Sequence, residues 1–413
     1  MKKFGYEPVV ITRQWENKYG DQRDYISQSA TRQVEIEKTE YGTLIKTPYK
    51  PNLSQRLLLK YGENRFVIFR KSLTLFFELA QYILPIGPKK QLYLEAKKYL
   101  SKNKVDLILA TGEPFVLFMY ASKLSKKYNT KWVADYRDPW SQAAWRKSNF
   151  LMARLNKYFE HKAITNAHAI CTVSPYVETV IRSNIPNKTP IHIQSNGYDS
   201  EIFDQKELEP PSETMVITFA GSVYPWHPLK NVLNTLDRFI RENSSSSIEI
   251  NLIGTNKESE LVKYISAHCK ALEQVVKHQS RMPNAELANK LLRSHLLLLF
   301  NDHALLGTKI FNYMAAKRPI LLCYTNCSET NELREKNFAY DSSDFDKNSL
   351  QKELIEKTNS GIAVGNSEHL LEILKKYQAE LALTGKIASK SHSIEQYSRI
   401  NQITTFAKFL DTL

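Results

Sequence analysis

The sequence predicts an α/β fold, with two Rossmann-like domains facing a cleft. Apolar runs of strand length alternate with helical segments along most of the chain, which is typical of doubly wound parallel sheets. The alternation is interrupted at 201–214, an acidic, proline-containing segment with few apolar residues. A chain of 413 residues is also longer than one ordinary core organises. We therefore expect domains at 1–203 and 204–390, and a helix within 391–413 that closes the chain.

The composition excludes several classes of protein. With 42% hydrophobic and 24% charged residues, the chain has the composition of a globular protein. No apolar run is long enough to cross a membrane, and no signal peptide is recognisable. The cysteines are scattered, without a second Cys/His pair at zinc spacing, so we expect free thiols, no metal site and a cytoplasmic location. They are Cys171, Cys269, Cys323 and Cys327.

The positive charge is confined to the first half of the sequence. Residues 1–200 contain 32 Lys and Arg against 17 Asp and Glu, a net charge of +15, and the remainder carries −1. A basic half could face nucleic acid, an anionic membrane or an acidic acceptor. Because no nucleic-acid motif is recognisable, we expect no nucleic acid and favour the membrane or the acceptor.

The N-terminal segment starts with the end of a helix that Gly5 terminates, followed by a strand at Glu7–Arg13. No strand precedes that helix, so the N-terminal domain is expected to lack its first strand. Residues 14–52 are polar and weakly periodic, and they predict a long loop with a short strand at Thr43–Lys46.

Leu53–Leu84 combines apolar residues with interspersed Arg and Lys, and two interpretations remain open. The segment could be a basic amphipathic surface lying on an anionic leaflet. It could also be one or two helices packed on the first domain with solvated basic residues, which we favour slightly.

The first alternating series ends its strands in polar turns. Its elements are strand Val105–Ala110, helix Phe115–Lys127, strand Lys131–Asp135, helix Leu151–Ala167, strand Ala169–Val173 and strand Ile191–Gln194. Gly112 and Glu113 follow the first strand, and Arg137, Asp138 and Trp140 follow the second. Ligands of open parallel sheets gather at these carboxyl ends. Ser174 before Pro175 predicts a helix N-cap.

The second alternating series follows the acidic segment. Its elements are strand Val216–Ala220, helix Leu229–Glu242, strand Ile248–Ile253, helix Glu258–Leu272, strand Val275–His278, helix Ala285–Arg293, strand Leu296–Phe300, helix Lys309–Ala316, strand Ile320–Tyr324, strand Ile362–Val364, helix Ser367–Thr384 and a last helix within Ile394–Leu413. Gly307 and Thr308 precede the helix that starts at Lys309, and this N-terminus could bind a diphosphate. An ordinary helix–turn–strand unit with a solvated Lys309 is the plainer interpretation.

Four stretches give the chain a family resemblance: WVADYRDPW (132–140), IQSNGYDSEIF (193–203), ITFAGSVY (217–224) and GTKIFNYMAAKRPILL (307–322). In this order and spacing they resemble GT-B glycosyltransferases, and are similar to family-four members that build bacterial surface polysaccharides. The resemblance implies retaining transfer of a sugar from a nucleotide-sugar donor to a lipid-linked or polysaccharide acceptor. It also implies peripheral contact with the inner face of the cytoplasmic membrane.

The resemblance implies that the C-terminal domain holds the nucleotide sugar without a bound metal. Gly221 and Ser222 would bring the backbone close to the diphosphate, together with the loop of Gly307 and Thr308. Lys309, and less directly Lys230, would neutralise the departing nucleoside diphosphate. Asn312 occupies the position that would hold the ribose of the donor.

The N-terminal domain would bind the acceptor, with Gly112, Glu113 and Trp140 on that side. Asp138 and Arg137 are the predicted catalytic residues, and Asp138 could accept a hydrogen bond from an acceptor hydroxyl or deprotonate it. An ion pair with Arg137 or a helix cap would equally explain Asp138. Turn chemistry explains Asn196, Gly197 and Asp199 better than ligand contact does.

Three positions depart from the family pattern. Relatives usually have Glu at the positions of Asn312 and Ala304, and often Arg at the position of Ser222. An amide lacks the charge-assisted strength of a carboxylate. The alternatives are therefore a degenerate, non-catalytic GT-B protein that binds a sugar, nucleotide or protein, a two-lobed small-molecule binding protein, and a nucleotide-sugar epimerase.

Overall fold

The structure is a computed structural model that describes residues 1–15, 22–142, 150–186, 188–203, 208–303, 305–325, 327–337 and 349–413. The chain forms two compact units. In the described ranges, the first unit runs to residue 194 and resumes at residue 403, and the second consists of residues 195–402.

The first unit contains two sheets. Its strands are β1 Val9–Arg13, β2 Glu35–Thr39, β3 Gly42–Thr47, β4 Leu107–Gly112, β5 Lys131–Tyr136, β6 Ala169–Thr172 and β7 Ile191–Ile193. Its helices are α1 Leu53–Tyr61, α2 Val67–Ile83, α3 Lys90–Leu100, α4 Val116–Tyr128, α5 Phe150–Ile164 and α6 Pro175–Arg182, with 3-10 turns at Lys2–Phe4 and Gln22–Ile26. In one sheet β3 pairs in parallel with β1 and antiparallel with β2. The other sheet is parallel, in the order β4-β5-β6-β7.

The second unit is built on one parallel sheet in the order β10-β9-β8-β11-β12-β13. Its strands are β8 Thr214–Ala220, β9 Ser247–Ile253, β10 Val276–Gln279, β11 Leu296–Phe300, β12 Ile320–Cys323 and β13 Gly361–Val364. Its helices are α7 Ser200–Phe203, α8 Leu229–Glu242, α9 Glu258–His268, α10 Lys270–Val275, α11 Asn284–Leu292, α12 Lys309–Ala315, α13 Ser328–Asn337, α14 Leu350–Thr358 and α15 Ser367–Thr384. After a 3-10 turn at Glu395–Tyr397, helix α16 Arg399–Leu410 crosses the boundary between the units in sequence.

The apolar runs predict the buried strands of this sheet because strands covered on both faces need no polar alternation. All residues of β11 and β12 are buried. Helix α8 buries Val232, Leu233, Leu236 and Phe239 against the sheet, which is the spacing of one helical face. The predicted α/β fold class is confirmed, and no helix in the described residues is long and apolar enough to span a bilayer.

Three predictions about elements were wrong or incomplete. Residues 14–52, expected to be mostly loop, include β2 in addition to the predicted strand β3. The expected single helix Glu258–Leu272 is divided at Cys269, whose backbone is not helical. Helices α3, α7, α13 and α14 lie in stretches for which no helix was predicted.

Candidate functional site

Gly221 and Lys309 meet at the carboxyl end of β8 in the second unit. Lys309 starts α12, and its ammonium donates a hydrogen bond to the carbonyl of Ser222 over 2.8 Å. A Cβ atom on Gly221 would lie 2.7 Å from Cε of Lys309, and the φ angle of Gly221 is +107°. Glycine therefore allows both the left-handed backbone and the close passage of the lysine side chain.

The Lys309 ammonium lies among aromatic rings. Its Nζ atom is 5.0 Å from the centroid of the Phe219 ring and 5.8 Å from that of Tyr224. Burial lowers the pKa of Lys309, and the negative charge of Asp302 opposes that shift. The ammonium has three donors, and Ser222 accepts from one of them in the described part of the chain. The remaining donors can bind an anion.

The sequence interpretation missed a cluster around Asp302 that supports the same loop. Oδ1 of Asp302 accepts hydrogen bonds from Nε1 of Trp226 over 3.1 Å and from Nε2 of His227 over 2.8 Å. Nδ1 of His227 accepts from the backbone N–H of Tyr224, so the ring is neutral with its proton on Nε2. Burial lowers the pKa of His227, whereas the hydrogen bond from His227 helps to hold the pKa of Asp302 below its usual value.

Tyr313 connects α12 to the end of β8. Its hydroxyl accepts a hydrogen bond from the backbone N–H of Ala220 over 2.8 Å, and its ring is fully buried. Tyr313 follows Lys309 by four residues, which places the two side chains on one face of the helix. The Lys-x-x-x-Tyr pattern thus anchors the helix beside Gly221 and directs Lys309 over it.

Three other predicted donor-side residues of the second unit are exposed. Lys230 is exposed in α8, with its ammonium 5.4 Å from the centroid of the Tyr264 ring. Gly307 and Thr308 are exposed, and a Cβ atom on Gly307 would be accommodated. The helix that follows them has only seven residues, so the side chain of Lys309 is the stronger anion-binding feature.

Asn312 lines a small surface pocket with residues that include Asp199, Asn284 and Arg399. Arg399 and Asp199 form an ion pair there with an N–O distance of 3.3 Å. The described part of the chain gives the Asn312 side chain no hydrogen-bond partner. Ala304, at the other departure from the family pattern, is outside the described residues.

The stretch from Asn196 to Asp199 is hydrogen-bonded to the 3-10 turn before α16 and to the start of that helix. The backbone of Tyr198 accepts a hydrogen bond from the N–H of Arg399 and donates one to the carbonyl of Tyr397. A Cβ atom on Gly197 would lie 2.4 Å from that Tyr397 carbonyl oxygen, so close backbone approach explains the glycine. These contacts agree with the structural interpretation of the motif.

The predicted acceptor-side residues gather at the carboxyl ends of β4 and β5 in the first unit. Trp140 is buried and stacks on Phe115 with a centroid distance of 5.1 Å. A Cβ atom on Gly112 would lie 2.6 Å from the Phe115 ring, so that ring requires glycine at this position. Glu113, which follows Gly112, is exposed. Gly112 and Trp140 thus pack around Phe115 and form the apolar surface at this end of the sheet.

Arg137 and Asp138 occupy the turn directly after β5. Nε of Arg137 donates to Oδ2 of Asp135 over 3.1 Å, and Thr111 Oγ1 donates to the same oxygen over 3.0 Å. Asp138 is half-buried, and Arg137 is exposed. Asp135 therefore orients Arg137, a role that the sequence interpretation did not assign.

Glu160 of α5 fixes the loop that continues from this turn. This fully buried carboxylate accepts hydrogen bonds from Tyr136, Ser141, Gln142 and Asn184, and those from Tyr136 and Asn184 span 3.0 and 2.8 Å. Burial raises the pKa of Glu160, and the hydrogen bonds from Ser141, Asn184 and Tyr136 oppose the shift. No group of three or more His, Cys, Asp or Glu side chains with the arrangement of a metal site occurs in the described ranges.

Comparison with known proteins places these features in context. Residues 1–202 match Glycosyltransferase Family 4. No curated protein sequence matches the chain. Sucrose-phosphate synthase from Thermosynechococcus elongatus has a similar structure, with a TM-score of 0.59 and 12% identity over 100% of this chain and 90% of the other.

Two further solved structures share the fold. Anabaena HepE in complex with UDP-glucose has a TM-score of 0.53 and 16% identity, covering 79% of this chain and 83% of HepE. A glycosyltransferase from Rickettsia africae has a TM-score of 0.54 and 12% identity, covering 99% and 90%. The resemblance predicted from the four stretches is confirmed: residues 1–202 are similar to Glycosyltransferase Family 4, and the chain shares the fold of these solved structures.

Proposed function

We propose that the chain transfers a sugar from a nucleotide-sugar donor to a lipid-linked or polysaccharide acceptor, with retention of anomeric configuration. The proposal rests on one observation, the position of the Lys309 ammonium over Gly221 at the carboxyl end of β8. Departure of a nucleoside diphosphate develops negative charge, which a preorganised cation and backbone N–H groups stabilise. The UDP-glucose complex of HepE, which shares the fold, supports a donor of this class.

Each donor-side feature has a distinct part in this proposal. Gly221 lets the diphosphate approach the backbone, and Lys309 neutralises its charge. Asp302 acts indirectly, because it holds Trp226 and His227 and thereby fixes the loop below Lys309. Since the cation is supplied by the chain, we propose that transfer needs no metal ion, and activity in excess EDTA tests this.

Replacement of Lys309 tests the proposal directly. Binding of a panel of nucleoside diphosphates and nucleotide sugars should be measured by calorimetry for the unmodified chain, Lys309→Ala and Lys263→Ala. Lys309→Ala should weaken donor binding by about 1.5–3 kcal/mol, as expected for a hydrogen bond to a charged group. Lys263 is an exposed lysine of α9 and serves as the matched control. Equal affinities of Lys309→Ala and the unmodified chain would remove Lys309 from the donor site.

On the acceptor side, we propose that Asp138 acts on the acceptor hydroxyl and that Arg137, held by Asp135, lies beside it. Asp138→Asn should then lower turnover more than donor affinity. The anomeric configuration of the first-formed product, determined by NMR, distinguishes retention from inversion.

Helix α2 supports a lipid-linked acceptor and a role in surface-polysaccharide synthesis at the membrane. None of its residues is buried, and large apolar side chains such as Ile68, Phe69 and Phe76 are exposed. Arg70 and Lys71 lie on the same helix, and the first 200 residues carry the whole charge excess. Exposed apolar residues with nearby cations are typical of helices that lie on anionic membranes.

Asn312 favours a second candidate, a non-catalytic relative that binds a sugar, nucleotide or protein. Its amide lines the pocket beside Arg399 and Asp199 and lacks the charge of the usual glutamate. Incubation with the nucleotide-sugar panel separates the candidates: transfer or donor hydrolysis supports the enzyme, whereas neither binding nor hydrolysis of any member supports the relative.

A further inference from the structure

Two parallel strands of the small sheet bring a cation and an aromatic ring together. Arg13 ends β1, and Tyr49 lies two residues beyond the end of β3, its parallel neighbour. The guanidinium carbon of Arg13 lies 3.8 Å from the centroid of the Tyr49 ring and 4.1 Å from that of Trp15. Tyr49 is held in place, because it is buried and its hydroxyl is hydrogen-bonded to Gln55. The position of the guanidinium is therefore fixed.

A second cation comes to the same ring from helix α3, which packs against β1 and β3. The Nζ atom of Lys89 lies 5.2 Å from the centroid of the Tyr49 ring. Lys89 is the N-cap residue of α3, an 11-residue helix whose N-terminus has no side-chain cap. In its first turn the N–H groups of Lys90 and Leu92 donate to the carbonyls of Gly87 and Lys89, which leaves that of Gln91 without an acceptor in the described ranges. This turn also presents the positive end of the helix dipole.

Among the described residues, no carboxylate pairs with these positive groups. In the described ranges neither Arg13 nor Lys89 forms a salt bridge. Arg13 donates through Nε to the carbonyl of Gln14 and through Nη1 to that of Tyr25, which leaves Nη2 without a hydrogen-bond partner in the same ranges. Burial lowers the pKa of both cations, and for Lys89 the charge of Arg13 adds to the effect. An anionic ligand would relieve this repulsion.

We propose that Arg13, Lys89 and the N-terminus of α3 form a binding site for a phosphate-type oxyanion in the first unit. Guanidinium, ammonium and helix N–H groups are the usual protein ligands of phosphate. Trp15 is 55% exposed beside the guanidinium, so its ring can pack on a sugar attached to the phosphate. The fitting ligand class is therefore a sugar phosphate or a sugar diphosphate.

The assignment of this anion to the acceptor rests on the proposed function. A lipid-linked acceptor carries its sugar on a phosphate or diphosphate, and a site in the first unit that holds this group would position the sugar for transfer. The phosphate could also come from a free sugar phosphate, because both sources present the same oxyanion.

The test uses inorganic phosphate and the full chain carrying Lys309→Ala, so that the donor-side lysine does not contribute. Binding is measured by calorimetry at constant ionic strength for this chain and with Lys89→Met or Lys90→Met added. Lys90 is the adjacent, exposed lysine at the start of the same helix and forms the matched control. Lys89→Met should weaken binding about tenfold or more, the loss expected for one charge-assisted hydrogen bond, whereas Lys90→Met should change it little.

Equal effects of the two substitutions, or no phosphate binding by the parent, would overturn the proposal. Acetylation of the unmodified chain, read by tandem mass spectrometry, checks the site without a variant that could misfold. Phosphate should slow acetylation of Lys89 and leave that of Lys90 unchanged, and equal rates for Lys89 with and without phosphate would also overturn the proposal.

Two further experiments complete the test. The first identifies the source of the phosphate, and the second separates the phosphate site from the donor site. Displacement of inorganic phosphate by vesicles of phosphatidylcholine and phosphatidic acid assigns a lipid-borne phosphate, and phosphate binding that resists these vesicles assigns a free one. Binding of the nucleoside diphosphate and nucleotide-sugar panel by the Lys89→Met chain with Lys309 intact should equal that of the unmodified chain. If neither chain binds any member of the panel, the proposed function fails while the phosphate result still stands.

Discussion

Gly221 combines two constraints on a single residue. Its positive φ angle is strained for any residue with a Cβ atom, and that Cβ would collide with the Lys309 side chain. Because both constraints act at the proposed donor site, a substitution there affects stability and binding together.

Gly221→Ala should lower the free energy of unfolding by about 1–3 kcal/mol, the usual cost of such a backbone conformation. It should also weaken donor binding, because Lys309 must move away from the added methyl group. Urea unfolding and calorimetry measure the two effects. Gly307→Ala is the control for stability, since a Cβ there would be 3.8 Å from its nearest neighbour. A stable Gly221→Ala chain with unchanged donor affinity would contradict the assigned geometry.

Sequence reasoning identified some of these residues and missed others for a physical reason. Lys309 and Gly221 lie at the junctions of predicted strands and helices, where spacing indicates a ligand site. Asp302 is 75 residues from His227 in sequence, and its hydrogen bonds depend on the pairing of β8 with β11. No local pattern specifies that pairing. Chain folding likewise brings Arg13 and Lys89 to the same Tyr49 ring.

Helix α6 shows how far a single element can be predicted. The Ser-Pro pair indicates an N-cap, and the Ser174 hydroxyl accepts a hydrogen bond from the backbone N–H of Val177 over 3.2 Å. Ser174→Ala should therefore destabilise the chain by about 1 kcal/mol. Thermal and urea unfolding measure this, with Ser183→Ala at the other end of the helix as the control. A cost no larger than that of the control would show that the cap contributes nothing measurable.

The elements that sequence reasoning missed lack a local signal. Strand β2 has four exposed residues and one half-buried residue, so it shows no alternation, and its pairing with β3 holds it in place. The division between α9 and α10 depends on Asp237 of α8, whose carboxylate accepts hydrogen bonds from the N–H groups of Ala271 and Leu272. Because another helix supplies this cap, the sequence near Cys269 contains no signal for it.

In the whole molecule, the excess positive charge and the exposed apolar face of helix α2 both belong to the first unit. The net charge of +15 over residues 1–200 accompanies the exposed face of α2, whereas the rest of the chain is nearly neutral. Ile68 of α2 and Leu383 of α15 are equally exposed, at 84% and 86%. Arg70 and Lys71 lie on the helix of Ile68, whereas Leu383 belongs to the part of the sequence with a net charge near zero, so the pair separates membrane docking from simple exposure of an apolar side chain.

Binding of the full chain to vesicles that contain anionic lipid should fall steeply with added salt, because the Debye length shortens to about 10 Å at 0.1 M. Ile68→Asp should weaken vesicle binding by about ten- to a hundredfold, since it removes one large apolar side chain from the leaflet. Leu383→Asp should leave binding unchanged. Cosedimentation with vesicles at several salt concentrations measures all three chains. Salt-independent binding, or equal losses for the two substitutions, would contradict docking through α2 and leave the membrane without a role in placing the acceptor.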